Sequence, residues 1–187
     1  MDIYDCFMYF DEDLLLDLRL NTLSKYVKKF IITEATYTHN GAKKNLKFDI
    51  NNFQKFKDKI KYIVVDKAPP NILQLENGES ENKRGTKLIL NGMARDYFQR
   101  ENLNKGLTDT QDEDLILISD LDEIPNLDGL DISKVKNKVY VLNIHGKRFF
   151  LSEDKNIRSG DYLGTREQPA IIVFQDNTKL CFSSNSS

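Results

Sequence analysis

Leu115-Ile116-Leu117-Ile118 runs without a polar interruption into Ser119-Asp120-Leu121-Asp122-Glu123-Ile124-Pro125. Four aliphatic residues in a row read as a strand buried on both faces of a parallel sheet. A chain with such a strand is committed to a layered α/β fold. Ligands of open α/β sheets sit just past the carboxyl ends of the strands, so Asp120 and Asp122 are expected at the mouth of a crevice. In an extended segment, side chains at i and i+2 point the same way. Two hard oxygen donors would then converge, which suits Mg²⁺ or Mn²⁺ carrying a phosphate-bearing substrate. The chain holds 29 Asp+Glu in 187 residues, so an Asp-x-Asp is expected by chance. The position after a buried strand carries the inference, not the triplet.

The remaining pattern is of strands alternating with helices, which implies a mostly parallel sheet. Ile3 to Phe10 reads as the first strand. Asp11-Glu12-Asp13 opens a helix whose apolar stripe is Leu14, Leu15, Leu18, Leu23 and Val27. Lys29 to Thr33 is a second strand, closed by Glu34-Ala35-Thr36. Asn40-Gly41 marks a turn, Asn52 to Lys59 a short helix, and Tyr62 to Val65 a third strand. Lys67 to Glu81, with Pro69-Pro70 and Asn77-Gly78, reads as a long mobile loop. A long helix is expected from about Lys83 to Asn104. After the acidic strand motif, Val139 to Ile144 and Ala170 to Phe174 read as a fifth and a sixth strand. One domain over 1–176 is expected, followed by a polar tail over 177–187.

A formal net charge of −2 argues against a nucleic-acid or anionic-membrane surface. Cys6 and Cys181 are too few and too far apart for a disulfide framework, and Cys6 reads as a buried, inert thiol. No apolar run is long enough to span a bilayer. The N-terminus lacks a basic n-region and an h-region, so a cytoplasmic protein is expected. His39 and His145 lack metal-ligand spacing. The G-x-S-x-G, Walker A and G-x-G-x-x-G signatures of hydrolases, P-loop proteins and dinucleotide-binding domains are missing.

Three blocks in order carry a resemblance. The first is Ile3-Tyr4-Asp5-Cys6-Phe7, followed by Asp13 to Asn21 (DLLLDLRLN), running into Phe30 to Thr36 (FIITEAT). The second is Ala94 to Asn102 (ARDYFQREN) with Gly106-Leu107. The third is Asp114 to Pro125. Together they resemble glycosyltransferase family 17, over roughly residues 2–166.

The resemblance implies a three-layer α/β fold of the GT-A (nucleotide-diphosphosugar transferase) type. It implies transfer of N-acetylglucosamine, or a related sugar, from a UDP-sugar donor to a glycan acceptor. It also implies a divalent metal, typically Mn²⁺, held by the Asp-x-Asp segment against the donor pyrophosphate. Asp122 is then the direct ligand, with Asp120 on the metal, the ribose or a metal-bound water. Physical chemistry agrees, because a hard cation neutralises the charge that develops on a pyrophosphate leaving group.

Other residues in these blocks carry two readings each. Arg95 and Gln99 share a helix face at i and i+4, with Arg100 about 100° round from Gln99. Arg95 or Arg100 either clamps the diphosphate or pairs with Asp96 and Glu101. Glu34 and Thr36, at the end of the second strand, either contact uridine or cap the next turn. Asp5 and Phe7 share that ambiguity. Inverting transfer needs a carboxylate as general base, for which Glu123, Asp161 and Glu167 are candidates.

Asp161-Tyr162-Leu163-Gly164-Thr165-Arg166 resembles a family segment faintly. Family members then continue into a Gly-Trp-His-Phe-Ser-like segment, whereas this chain has no Trp. The expectation is a shortened acceptor side, with donor binding better supported than transfer. Two rivals follow: a catalytically impaired nucleotide-sugar-binding remnant of the family, and a phosphatase of the haloacid-dehalogenase type. The second fits poorly, because its aspartates belong near the first strand and Ile124 stands where Thr or Val is expected.

Overall fold

Ile3, Asp5 and Phe7 point to one side of the first strand, and Tyr4 and Cys6 to the other, as strand alternation requires. Both sets are buried, so the sheet is covered on both faces. The computed structural model describes residues 1–111 and 114–128, and the strand segments 139–142, 149–152 and 170–174. In chain order the elements are β1 (Ile3–Met8), α1 (Asp13–Leu23), β2 (Lys29–Ala35), β3 (Ile60–Val65), α2 (Glu81–Glu101), β4 (Leu115–Ile118), β5 (Val139–Leu142), β6 (Phe149–Ser152) and β7 (Ala170–Phe174). Two 3₁₀ segments, Ile50–Lys59 and Asn102–Gly106, precede β3 and follow α2.

The strands form one sheet in the order β3-β2-β1-β4-β7-β5-β6. β1 to β4 pair in parallel. β7 runs antiparallel to both β4 and β5, and β6 antiparallel to β5. The α/β architecture expected from the sequence is present, with β1 to β5 running one way and β6 and β7 the other. The antiparallel half was not anticipated, and β6 is a strand that the pattern did not reveal.

One core joins Phe7, Phe30, Ile32, Leu115 and Leu117 to Leu16, Leu20 and Leu23 of α1, and to Phe53 and Phe56. The other joins Tyr4, Cys6, Ile31, Ile116 and Ile118 to Leu103 and Leu107. The Leu115–Ile118 run thus feeds both cores alternately, which explains why it shows no polar period. Gly106 lies so close to the sheet that a Cβ there would meet Ile31 Cγ2 at 2.1 Å. Only glycine allows this approach.

Several elements depart from expectation. The buried face of α1 is Leu16, Arg19, Leu20 and Leu23, while Leu14 is 82% and Leu18 53% exposed. The helix is rotated because Arg19, not a leucine, occupies a core position. The short helix expected at 52–59 is a 3₁₀ segment kinked at Phe53, which buries Phe53 and Phe56. α2 begins at Glu81, since the Ser80 side chain accepts a hydrogen bond from the Lys83 amide. The segment before it is pinned to α2. The Asn91 side chain accepts from the Leu73 amide at 2.7 Å and donates to the Leu73 carbonyl at 2.8 Å. Among the described residues, no helix is long and apolar enough to cross a membrane. The 177–187 tail lies outside the described residues.

Candidate active site

β1 is flanked by β2 on one side and β4 on the other, so the direction of sheet growth reverses between β1 and β4. Open α/β sheets bind ligands in the crevice at such a switch point, beyond the carboxyl ends of the strands. A cleft of about 460 Å³ lies there. Met8, Tyr9 and Phe10 line it from the end of β1, and Asp120, Leu121 and Asp122 from the end of β4. Asp96, Gln99 and Arg100 of α2 close one side, with Glu12 and His39 at the rim. The volume suits a small-molecule ligand.

The residues after β4 do not continue as a strand. The Glu123 amide donates to the Asp120 carbonyl at 3.0 Å, and the Ile124 amide to the Asp122 carbonyl at 3.2 Å. Asp120 and Asp122 therefore reach the same cleft through a tight turn, not through the extended i, i+2 geometry expected. Asp120 pairs with Arg100 Nη2, while Arg100 Nε donates to Asp96 at 3.0 Å. Burial pulls the Arg100 guanidinium down, but Asp96 and Asp120 outweigh it and hold the group above its ordinary value. Asp122 is exposed and makes no ion pair among the described residues.

The lining carries four carboxylates, Glu12, Asp96, Asp120 and Asp122, against the single guanidinium of Arg100. Such a cleft repels a bare anion. Among the described residues, no group of three or more His, Cys, Asp or Glu side chains is placed to hold a metal ion by itself. Asp122 faces open space and Asp120 is held by Arg100; together they fit a hard cation that completes its shell with water and other oxygen donors.

A family model for glycosyltransferase family 17 matches residues 1–156. The chain belongs to glycosyltransferase family 17. Three mammalian proteins, from human, rat and mouse, are similar to it and are each named beta-1,4-mannosyl-glycoprotein 4-beta-N-acetylglucosaminyltransferase. Each is 28% identical over 120 residues, covering 62% of this chain and 20% of the relative. The match thus takes in about a fifth of the length of these curated relatives. No solved structure matches the chain.

Of the site residues expected for a family 17 member, the fold brings Arg100, Asp120 and Asp122 together in the cleft. Asp5, Phe7, Glu34, Thr36, Arg95 and Glu123 are not in its lining. Asp5 is fully buried, and both its oxygens receive hydrogen bonds from Arg19, at 2.7 and 2.8 Å. Phe7 lies beneath the same guanidinium, whose carbon is 4.6 Å from the ring centroid. Glu34 is fully buried as well. It accepts from the Lys44 ammonium, the Lys47 and Phe48 amides and the Tyr62 hydroxyl. It fastens the 44–48 loop to the sheet. Thr36 continues the β2–β3 pairing through its amide to the Val65 carbonyl. Arg95 donates to the His39 carbonyl at 2.7 Å and packs over Gly41, whose φ of +85° confirms the expected turn.

Glu123 is half-buried, and its Oε2 accepts from the Asp120 amide at 3.1 Å. Burial raises its carboxyl above the usual range, and the neighbouring Asp120 and Asp122 add to the effect. Asp161 and Glu167 lie outside the described residues. Sequence reasoning missed Arg19, Glu12 and Gln99. Arg19 did leave a signal: a charge at the helical phase of Leu16, Leu20 and Leu23 must find a buried partner.

Proposed function

We propose that this chain binds a UDP-sugar together with Mn²⁺ or Mg²⁺ in the cleft between β1 and β4, and transfers N-acetylglucosamine or a related sugar to a glycan acceptor. The fold is then of the GT-A type. The observation that carries the reading is the convergence of Asp120, Asp122 and Arg100 at the sheet's switch point, in a chain of family 17. The names of the mammalian relatives support N-acetylglucosamine as the sugar and a glycoprotein glycan as the acceptor class.

Asp122 and Asp120 are the residues that would hold the cation. Bound there, it supplies charge neutralisation for the diphosphate leaving group. Arg100 stands beside them with a planar fork suited to phosphate oxygens. Transfer with inversion requires a carboxylate to take the acceptor's hydroxyl proton. Glu123 is one candidate: it follows Asp122 just outside the lining of the cleft, burial raises its proton affinity, and its Oε1 is not hydrogen-bonded among the described residues. Asp161 is the other candidate.

Titration calorimetry with UDP tests the site. Wild type with Mn²⁺ should bind, while EDTA or Asp122→Asn should lower affinity sharply, because the amide keeps the shape and loses the charge. Equal affinity in the three conditions rules out the metal-dependent donor site. A radiolabelled UDP-N-acetylglucosamine assay over a glycan panel then reads transfer. Donor hydrolysis alone would mark the chain as a donor-binding unit, because transfer needs the acceptor hydroxyl held in line.

A further inference from the structure

Arg19 is the most densely bonded side chain beneath the cleft. It is completely buried. Nε and Nη2 form a fork on the Asp5 carboxylate, and Nη2 also donates to Ser119 Oγ at 2.6 Å. Nη1 donates to three carbonyls of the turn after β4: Asp120 at 2.7 Å, Leu121 at 3.1 Å and Glu123 at 3.2 Å. Ser119 Oγ passes the link on to the Glu123 carbonyl at 3.1 Å. All three guanidinium nitrogens are engaged, and Phe7 forms the floor.

The arrangement has a direction. Asp5 comes from β1, Arg19 from α1 and the carbonyls from the turn, so three separate elements are locked at one point. Carbonyl oxygens of the turn point inward at the cation, while the side chains of Asp120 and Asp122 line the cleft. The guanidinium charge is matched by Asp5, so the cleft carboxylates are not called on to neutralise it. A simple buried ion pair would need none of the three carbonyl contacts.

We infer that Arg19, socketed by Asp5 and Phe7, is a positioning residue that shapes the 119–123 turn for ligand capture by Asp120 and Asp122. The inference rests on the donor-site reading above. It also gives Asp5 and Phe7 an indirect part in the site, through Arg19 instead of through the donor.

The test uses the full chain as Arg19→Lys, Ser119→Ala and Asp122→Asn. Lysine keeps the charge but cannot fork. Ser119→Ala removes one link and leaves the Asp5 pair intact, so it decides the matter if Arg19→Lys does not fold. Two readouts are taken: amide hydrogen exchange at Asp120, Glu123 and Ile124, and Mn²⁺ binding in the presence of UDP by electron paramagnetic resonance. Arg19→Lys and Ser119→Ala should speed exchange of these amides, leave the β1 and β4 amides unchanged, and weaken Mn²⁺ binding by about tenfold. Asp122→Asn should lose Mn²⁺ binding with exchange as in wild type. Wild-type exchange in the turn, or a loosened turn with unchanged Mn²⁺ affinity, overturns the inference. Failure of the wild type to bind Mn²⁺ with UDP overturns the donor reading instead, and the exchange rates alone then decide whether Arg19 organises the turn.

Discussion

Arg100 of α2 and Asp120 after β4 are ion-paired across the wall of the cleft, with Asp96 on the other side of the guanidinium. The pair joins the element before β4 to the turn after it. Under the donor reading proposed above, Arg100 is held where a diphosphate would meet the carboxylates. Arg95, five residues earlier, is committed to the His39 carbonyl.

The two arginines should therefore behave differently. A charge-assisted contact is worth about 1.5–3 kcal/mol. Arg100→Ala should weaken UDP binding in Mn²⁺ by about tenfold or more. Arg95→Ala should leave UDP affinity within about twofold, since Arg95 does not line the cleft. Calorimetry on both variants checks this, and loss of binding in Arg95→Ala alone would reverse the assignment.

Glu34 offers the complementary case. Its carboxylate accepts from two backbone amides, a tyrosine hydroxyl and a lysine, all at a fully buried site. Glu34→Gln removes the charge and turns one end into a donor that faces other donors. We expect a loss of about 3 kcal/mol in urea unfolding, in the range for breaking a buried charged contact. Donor affinity of the folded fraction should be unchanged. A stable Glu34→Gln protein that no longer binds UDP would restore Glu34 to the donor site.

Gly106 tests the packing of the second core. Gly106→Ala would push a methyl group against Ile31, with Cβ–Cγ2 at 2.1 Å. Overpacking of this kind costs about 1–3 kcal/mol. Thermal unfolding should show a lowered midpoint for Gly106→Ala. An unchanged midpoint would mean that the 102–106 segment yields easily.

The sequence was most legible where one local pattern had one physical cause. Leu115 to Ile118 alternates between two cores, so its lack of polar period reported a strand buried on both faces. Its abrupt end at Ser119 reported the cleft. The α1 stripe misled because leucine content stood in for burial. Leu14 and Leu18 are exposed, while Arg19 is buried through partners 14 and 100 or more positions away. Partners at such separations leave no local periodicity. Asp5, Phe7 and Glu34 stood out as charged or aromatic residues at strand ends, where ligand contacts and internal pairing look alike in sequence. β6 holds only Phe149-Phe150-Leu151-Ser152, too short for an alternation to show. Its antiparallel placement depends on sheet order, which no strand encodes by itself.

Cys6 lies at the centre of the sheet, fully buried between β2 and β4. Burial pushes its thiol well above the usual range, Asp5 adds to this, and Arg19 acts weakly the other way. The native state therefore keeps a proton that the unfolded chain releases near pH 8.5. The sign follows from proton counting. Where the native state binds more protons than the unfolded state, stability falls as pH rises. This contribution is fully present below the unfolded thiol pKa and is lost as pH climbs through and above it. Two measurements check the point. Iodoacetamide at pH 8.5, read by peptide mass mapping, should leave Cys6 unmodified in the native protein and label it in urea. Urea unfolding between pH 7 and 10 should fall more steeply for wild type than for Cys6→Ala. Labelling of native Cys6 at a rate near that of a free thiol would mean that the β1–β4 seam opens readily, and with it the floor of the cleft.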